Sequence, residues 1–496
     1  MTKNILIVYV NMPMEPLVPL GVSIISTALS NAGFNTKVFD TTLYVDGEAN
    51  NQDERVLSGQ VKAANFEEVG LVHNEANMFT EFRKLVEEFK PALIGFSNVE
   101  LTYNLTLELA ESIKDLEIPT VMGGVFATFS PEFILKGSQL IDMVCVGEGE
   151  LAIVELATRI CNGEDPVGVQ NIWHQRGKEL IRPPRGGELL DIENMLLPKF
   201  EYFAPERIYR PMSGNMYRMV PVEISRGCPY KCTYCSAPSF ANEFKEYGKW
   251  LRYKSIDRII SEIEYYIEEY DVEYFYFISE TFLAMSKKMR AEFYEKYSKI
   301  KKPFWFNTRP ETIKSDDIQA LEEIGCHRIS IGLETGNSEF RERMLQRKYS
   351  NENAIQAAQM IIDSKIELSV NNMIGFPDET RKMIFETIEV NRQFTADSHT
   401  VSVFQPFRGT GLFNYSVEKG YFDGADVCPD SFSESCLKMP SMTQQDIEGL
   451  YRTFNLYRTL DKKYWPDIQR AELNDEEGSR LFRELIAVSN SYSSAA

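Results

Sequence analysis

The sequence predicts an α/β protein with an N-terminal doubly wound parallel sheet, a partial (β/α)6 barrel of the TIM type, and a small helical C-terminal region. Two observations lead to this fold class. Short apolar runs alternate with amphipathic helical stretches, a pattern typical of parallel sheets. The alternation occurs twice, on either side of a region rich in Pro and Gly. We therefore expect domains at 1–175 and 216–425, a linker at 176–215 and the helical region at 426–496.

The first domain begins with an apolar strand at 4–10, a Pro-rich loop and a helical pattern that starts at Leu20. Glycines follow two later strands of this domain, those expected at 120–122 and 142–146. A glycine at a strand end lets the backbone approach a bulky ligand, because there is no Cβ in the way. Open α/β sheets bind ligands at these carboxyl ends. The pattern thus predicts a ligand site at this edge of the sheet.

The second domain contains six strand candidates separated by helical patterns. In such βα series the chemistry lies at the carboxyl ends of the strands. After residue 425 the pattern becomes helical, with Ile447, Leu450 and Phe454 on one face. The strand candidates are 219–225, 274–278, 304–307, 328–333, 368–374 and 400–404.

Charge and composition exclude several classes of protein. The formal net charge of −20 disfavours nucleic acid as a partner, because a phosphate backbone would repel the chain. No apolar run approaches the roughly 20 residues of a membrane span. The N-terminus lacks the features of a secretory signal. We expect a cytoplasmic protein whose eight cysteines stay reduced.

The strongest motif is RGCPYKCTYCSAPS, which spaces Cys228, Cys232 and Cys235 as C-x3-C-x2-C. A structural zinc site and a redox thiol pair are two alternatives. Zinc usually takes four protein ligands, and no His or further Cys lies near in sequence. Three thiolates on one short loop instead suit three irons of a [4Fe–4S] cluster and leave the fourth iron open.

This cysteine loop, placed after the first strand of a βα series, resembles that of the radical S-adenosylmethionine (radical SAM) enzymes over about 217–425. The resemblance implies an enzyme that uses a [4Fe–4S] cluster to cleave SAM to a 5′-deoxyadenosyl radical. It also implies that a carboxylate, Glu280, holds the SAM ammonium, although Ser279 and Glu280 could instead form a helix N-cap. Arg347 could bind the SAM carboxylate, with Lys348 as a competitor. The SAM-binding residues implied by the resemblance are Tyr234, Ser279, Glu280, Arg309, Glu334, Arg347, Asn371, Asn372 and Gly375.

A Rossmann-like domain ahead of a radical SAM barrel resembles the cobalamin-binding branch of the family, the class B radical SAM methyltransferases. The loop after the first strand lacks the Asp-x-His-x-x-Gly motif whose His ligates cobalt in many cobalamin domains. A nucleotide-binding domain or a domain without ligand is therefore an alternative. The cobalamin-binding residues implied by the resemblance are Asn11, Pro13, Leu20, Gly21, Ser97, Asn98, Thr102, Gly123, Gly124, Thr128, Glu148 and Gly149.

The resemblance implies a cobalamin-dependent methyltransferase that acts on an unactivated carbon of a small molecule or natural product. Its cofactors would be a [4Fe–4S] cluster, SAM and cobalamin. One alternative is a radical SAM cyclase, rearrangement or carbon–carbon coupling enzyme without methyl transfer. Another is a non-catalytic iron–sulfur electron carrier or sensor. The expected partners are a small-molecule substrate and an electron donor such as flavodoxin or ferredoxin.

Overall fold

The computed structural model describes residues 3–44, 51–177, 179–183, 189–429 and 431–495. The chain forms two compact units. Unit 1 consists of Met1–Asn50, Asn65–Arg210 and Asn242–Trp250, and unit 2 consists of Asn51–Ala64, Pro211–Ala241 and Leu251–Ala496. Each unit thus includes a segment that interrupts the other in sequence. The linear domain boundaries given above remain predictions, and the linker at 176–215 includes residues 178 and 184–188, which lie outside the described residues.

The strands are divided between a sheet in each unit and one short ribbon. In chain order they are β1 Asn4–Tyr9, β2 Asn35–Asp40, β3 Leu93–Ser97, β4 Thr120–Gly123, β5 Met143–Cys145, β6 Ile172–Arg176, β7 Glu179–Ile181, β8 Tyr209–Met212, β9 Asn215–Glu223, β10 Ser225–Arg226, β11 Arg252–Tyr253, β12 Tyr274–Ile278, β13 Phe304–Thr308, β14 Cys326–Glu334, β15 Glu367–Ile374 and β16 Ser398–Val403.

Helices separate the parallel strands of both sheets. They are α1 Leu20–Asn31, α2 Asn51–Leu57, α3 Met78–Phe89, α4 Tyr103–Glu111, α5 Val125–Phe129, α6 Pro131–Gly137, α7 Glu150–Asn162, α8 Ala237–Glu243, α9 Ile256–Tyr270, α10 Lys287–Tyr297, α11 Ser315–Glu323, α12 Ser338–Arg343, α13 Asn351–Ile362, α14 Arg381–Asn391, α15 Gly411–Glu418, α16 Gln444–Thr459, α17 Trp465–Ala471 and α18 Glu476–Ala495.

The sheet of unit 1 has the order β2-β1-β3-β4-β5-β6-β7. Strands β1 to β5 pair in parallel, whereas β6 pairs antiparallel with β5 and with β7. The parallel part confirms the predicted doubly wound sheet. The β6–β7 hairpin lies in a region where the sequence indicated no regular structure, because the strands are short and their far ends are exposed and polar.

The sheet of unit 2 has the order β16-β15-β14-β13-β12-β9-β8. All pairs from β9 to β16 in this order are parallel, so the predicted partial (β/α)6 barrel is confirmed. Side-chain caps fix where several of its helices begin. The hydroxyls of Ser255, Ser286, Ser350, Thr380 and Thr443 each accept a backbone N–H from the first turn of the following helix.

The C-terminal helices complete the core of unit 2. Ile447, Leu450 and Phe454 of α16 are fully buried together with Ile374 and Val403 at the ends of β15 and β16. The predicted apolar face of this helix is therefore a packing face. In the described part of the chain, no helix is both long enough and apolar enough to cross a membrane.

Candidate active site

The three cysteines lie on one loop between β10 and α8, and all three are free thiols. The loop starts at the antiparallel β10–β11 ribbon, in which Arg226 faces Arg252. Its own backbone holds it in shape. The N–H of Cys235 donates to the carbonyl of Cys232 over 3.2 Å. The N–H of Ala237 donates to the Cys235 Sγ over 3.4 Å.

The thiols suit a cluster better than a single metal ion. Within the described residues, no group of three His, Cys, Asp or Glu side chains converges closely enough to hold one ion. Ligands of a [4Fe–4S] cluster bind separate irons and stand farther apart than the ligands of one zinc. Burial raises the pKa of Cys235 to about 12 and also raises the pKa of Cys228. Positive charge from bound iron would hold these thiols as thiolates.

A buried polar cluster at the end of β14 joins three residues that the resemblance singled out. The hydroxyl of Tyr234 donates to Glu334 Oε1 over 3.0 Å. Arg347 donates from Nη1 to the same carboxylate oxygen over 3.0 Å and to the Tyr234 hydroxyl over 2.7 Å. Arg347 also donates from Nη2 to the carbonyl of Gly332 over 2.6 Å. Glu334 is therefore neutralised by Arg347, and Arg347 is committed to this cluster.

The backbone beneath this cluster is strained and needs a glycine. Glu334 has a φ of 62°, a conformation that costs a non-Gly residue energy and that clusters at functional sites. A Cβ on Gly332 would lie 2.2 Å from Glu334 Oε1. Tyr349, which sequence reasoning missed, donates its hydroxyl to the carbonyl of Leu333 over 2.7 Å. A side chain at position 332 would therefore displace the Glu334 carboxylate from this place.

Glu280 follows β12 and remains available for a ligand. Its carboxylate makes no hydrogen bond or ion pair with any described residue. Its side chain is exposed to solvent, but the surrounding protein still raises its pKa by desolvation. The neighbouring Ser279 hydroxyl is hydrogen-bonded to the Ser225 hydroxyl over 2.8 Å. An ammonium group would find an unpaired carboxylate at Glu280.

The two asparagines of β15 point to opposite faces of the sheet. Asn371 pairs in register with Gly332 and Thr400 and accepts the Thr400 hydroxyl over 2.8 Å. Asn372 is buried on the other face, where its amide exchanges hydrogen bonds with Asn391 of α14. Asn372 therefore holds a helix, and Asn371 shares the face of Gly332.

Gly375 lies just beyond β15 with a φ of 78°. A Cβ there would approach the Ile447 Cγ2 to 2.9 Å, so the close packing of α16 requires glycine. The N–H groups of Gly375 and Phe376 donate to Glu379 Oε2 over 2.7 and 3.2 Å. The Phe376 ring lies 6.0 Å from that of Tyr234. Sequence reasoning assigned no role to Phe376 or Glu379, which follow Gly375 in the same motif.

Arg309 lies beside the cysteine loop and not beside Glu334. It follows β13, and its Nη1 donates to the Cys232 Sγ over 3.0 Å. Its guanidinium also faces the ring of Tyr230, a residue of the same loop that sequence reasoning missed. An aromatic residue within a cysteine loop is the signal that could have revealed it.

The carboxyl ends of β3 and β4 in unit 1 have the features of a binding edge for a large ligand. Both amide atoms of the Asn98 side chain are buried without a partner in the described residues. Gly124 has a φ of 116°, and a Cβ on it would lie 2.4 Å from the Asn98 carbonyl oxygen. Val99, Val125 and Leu151, which follow β3, β4 and β5, are exposed apolar side chains. An orphaned amide beside exposed apolar groups fits an amide-bearing macrocycle such as cobalamin.

Other side chains from the predicted cobalamin set hold loops at this edge. Asn11 donates its amide to the Thr42 hydroxyl and to the Glu15 carbonyl, both over 2.9 Å. The Thr128 hydroxyl donates to the Gly124 carbonyl over 2.9 Å and accepts the Gly147 N–H over 3.1 Å.

Two further side chains of the set are also engaged, and the rest lie in the same loops. The Thr102 hydroxyl donates to the Val99 carbonyl over 3.3 Å, and Glu148 accepts the Leu190 N–H over 2.9 Å. The remaining members of the set belong to the same loops and strand ends, and they are Pro13, Leu20, Gly21, Ser97, Gly123 and Gly149.

Comparisons with known proteins agree with both sites. The Radical SAM superfamily profile matches residues 222–390, and the B12 binding domain profile matches residues 8–157. An uncharacterized methyltransferase of Pyrococcus horikoshii is 24% identical over 75% of this chain and 80% of its own length. The anaerobic magnesium-protoporphyrin IX monomethyl ester cyclase of Rubrivivax gelatinosus is 25% identical over 73% of this chain and 65% of its own.

A solved structure shows the same fold over the whole chain. It is the radical S-adenosylmethionine methyltransferase TsrM from Kitasatospora setae, with cobalamin and a [4Fe–4S] cluster bound. The TM-score is 0.68 with 14% identity, and the match covers 100% of both chains. The two profiles imply a [4Fe–4S] cluster, SAM and cobalamin as cofactors. The chain therefore belongs to the radical SAM enzymes that carry an N-terminal cobalamin-binding domain.

Proposed function

We propose that this protein is a cobalamin-dependent radical SAM methyltransferase that methylates an unactivated carbon of a small molecule. One observation carries the proposal: a three-cysteine loop beside an unpaired carboxylate in unit 2 occurs in the same chain as a B12-binding domain with an orphaned amide in unit 1. Cobalamin at the second site would supply the methyl group that such an enzyme transfers.

The residues of unit 2 divide the work of holding SAM. Cys228, Cys232 and Cys235 bind the cluster, whose open iron and low-potential electron supply the radical chemistry. Glu280 accepts a charge-assisted hydrogen bond from the SAM ammonium. Glu334, held by Arg347, accepts the ribose hydroxyls, and Tyr234 and Asn371 border the adenine. Asn372 holds α14 and Arg309 contacts the cysteine loop, so neither is assigned to SAM. Gly375 lets the chain pass close to the adenine.

In unit 1 we assign the corrinoid to the carboxyl ends of β3, β4 and β5. Asn98 donates to and accepts from the amides of the corrinoid, since its own amide has no other partner in the described residues. Gly124 and Gly149 leave room for the macrocycle. Cobalamin bound there supplies a methyl carrier, and the protein contributes position and exclusion of water.

A second candidate function is radical cyclisation, rearrangement or coupling without methyl transfer. The name of the Rubrivivax gelatinosus relative, a cyclase, favours it. An electron carrier is disfavoured because a carrier needs no unpaired carboxylate for an ammonium. Under either enzymatic function the protein requires a reductant, and we propose flavodoxin or ferredoxin as the donor and the cytoplasm as the location.

The test is anaerobic purification with cobalamin supplied, followed by measurement of iron and corrinoid per chain. We expect four irons and one corrinoid per chain if both sites are filled. Methyl transfer predicts S-adenosylhomocysteine alongside 5′-deoxyadenosine, whereas cyclisation predicts 5′-deoxyadenosine alone. Iron without corrinoid would contradict the methyltransferase and leave the second candidate.

Substitutions of two different cysteines give a test variant and its control. Cys228→Ala should lose the cluster and all SAM cleavage. Cys161→Ala removes a half-buried thiol in unit 1 and should leave both unchanged. Undiminished SAM cleavage by the Cys228 variant would overturn the cluster assignment.

A further inference from the structure

Arg309 contacts the cysteine loop through two different interactions. Its Nη1 donates a hydrogen bond to the Cys232 Sγ over 3.0 Å. Its guanidinium carbon lies 3.8 Å from the centre of the ring of Tyr230, which stands between Cys228 and Cys232. Arg309 is buried, with 5% of the residue exposed, so both contacts are shielded from water. Cation–π contacts and charged hydrogen bonds strengthen under such conditions.

The Arg309 guanidinium is also held on the side away from the cysteine loop. Its Nε donates to Glu311 Oε1 over 2.7 Å. The backbone carbonyl of Arg309 accepts the Thr312 hydroxyl over 2.6 Å and the Thr312 N–H over 3.0 Å. Pro310 follows directly and restricts the chain. The position of Nη1 is therefore set by the protein and does not depend on a ligand.

We propose that Arg309 is a positioning residue that acts through Cys232 to raise the reduction potential of the cluster, and that it does not bind SAM. This inference rests on the cluster assignment in the proposed function. Hydrogen bonds to cysteine sulfur and nearby positive charge both stabilise the reduced cluster, which carries more negative charge. Arg309 provides the hydrogen bond from a buried group, and its charge lies next to the sulfur although the ion pair with Glu311 offsets part of it. Its effect is to make electron transfer from the external donor more favourable.

The geometry separates this role from that of a SAM ligand. Arg347 and Glu334 lie together at the end of β14, and Arg309 makes no hydrogen bond or ion pair with either of them. The two hydrogen-bond donors of Arg309 that have partners point to Cys232 and Glu311. A SAM carboxylate would meet a guanidinium whose Nε and Nη1 already donate to a carboxylate and to a cysteine sulfur.

The test compares Arg309→Met and Arg309→Lys with the native full-length protein after anaerobic reconstitution. The midpoint potential of the cluster is measured by redox titration followed by electron paramagnetic resonance, and SAM binding by equilibrium dialysis. For Arg309→Met we expect the ratio of reduced to oxidised cluster at a fixed potential to fall about tenfold, which is 59 mV for a one-electron couple. SAM affinity should be unchanged. Arg309→Lys keeps the charge but not the planar fork, and should shift the potential less in the same direction.

The control is Arg343→Met, which removes an exposed guanidinium of unit 2 and should leave the potential unchanged. A native potential in both Arg309 variants, with weakened SAM binding, would overturn the inference and make Arg309 a SAM ligand. Loss of iron from both variants would also overturn it, because a residue that only tunes the potential is not needed for assembly. If only Arg309→Met loses iron, the midpoint potential of Arg309→Lys tests the inference: a lowered potential supports it and a native potential contradicts it. Absence of iron from the native protein would instead overturn the proposed function itself.

Discussion

Glu379 carries a carboxyl group that is completely buried in the loop after β15. Its Oε2 accepts two backbone N–H groups, but its Oε1 has no partner in the described residues. Burial raises the pKa of Glu379 from the ordinary 4.5 to about 8, although the two N–H donors act in the opposite direction. At neutral pH this carboxyl group is therefore mostly protonated in the folded protein and ionised in the unfolded chain.

This difference predicts the pH dependence of stability. Between pH 4.5 and 8 the folded state binds one proton more than the unfolded state at Glu379, so stability falls as the pH rises through this window. Glu379→Gln cannot ionise and keeps an oxygen for the two N–H groups. As the pH rises through this window, the unfolding free energy of the variant should increase relative to that of the native protein by about 1.4 kcal/mol per pH unit.

Urea unfolding at pH 6 and pH 8 measures the gain. Glu339→Gln, at an exposed site of α12, is the matched control and should follow the native curve at both pH values. Parallel pH profiles for the Glu379 variant and the native protein would show that the carboxyl group ionises normally in the folded state.

Glu280 leads to a prediction about ligand affinity. Glu280→Gln removes the negative charge but preserves the size of the side chain. Hydrogen bonds to charged groups contribute about 1.5–3 kcal/mol, so SAM should bind at least tenfold more weakly. Equilibrium dialysis with the cluster-loaded protein measures this, and Glu339→Gln again serves as the control. Native affinity in the Glu280 variant would assign the SAM ammonium to another group.

At the scale of elements, Gly124 connects β4 to α5 in a conformation that side chains avoid. In Gly124→Ala, the new Cβ would lie 2.4 Å from the Asn98 carbonyl oxygen, so the ends of β3 and β4 would have to separate. Backbone strain of this kind costs roughly 1–3 kcal/mol before the clash is counted. We expect the variant to lose most of its bound corrinoid, measured as corrinoid per chain.

Gly137→Ala is the control for this prediction, because a Cβ on Gly137 meets nothing within 4 Å and its φ is ordinary. That variant should bind corrinoid as the native protein does. Equal loading of both variants would move the corrinoid site away from this edge.

The elements also show what a sequence pattern can reveal. Several of the parallel strands were predictable because they are continuous apolar runs that are largely buried, such as β3 and β12. The β6–β7 hairpin was not, since β6 is short and its last two residues are exposed and polar. The cysteine spacing identified the cluster loop, but the partner of Cys232 is an arginine 77 residues away. Contacts of that separation leave no trace in local periodicity.

At the scale of the whole molecule, the segment Asn51–Ala64 belongs to unit 2 although its neighbours in sequence belong to unit 1. Gln60 is its most buried polar side chain, at 1% exposure. Its Oε1 accepts the N–H of Val401 on the edge strand β16 over 2.9 Å, and its Nε2 donates to the Ser58 hydroxyl over 3.0 Å. The segment therefore satisfies a backbone donor at the edge of the barrel sheet.

Gln60→Ala would leave the Val401 N–H buried without a partner, which costs about 1–3 kcal/mol. We expect a loss of this size in the urea unfolding of unit 2. Gln393→Ala, at an exposed position in the same unit, should change stability by less than about 0.5 kcal/mol. Equal stability of the two variants would mean that another group or water replaces Gln60.

Residues 51–64 and 242–250 each belong to a different unit from their neighbours in sequence. This arrangement constrains how such a protein can evolve by recombination. A crossover near residue 210 would separate 242–250 from the unit to which it belongs and would deliver 51–64 to a foreign barrel. Phe244 of the first segment contacts Gly147 at the end of β5, and Gln60 of the second pairs with β16. Each half of a chimera would thus lack a native contact. We expect the two halves of this chain to be inherited as a single module, with the cobalamin-binding and SAM-binding parts changing together.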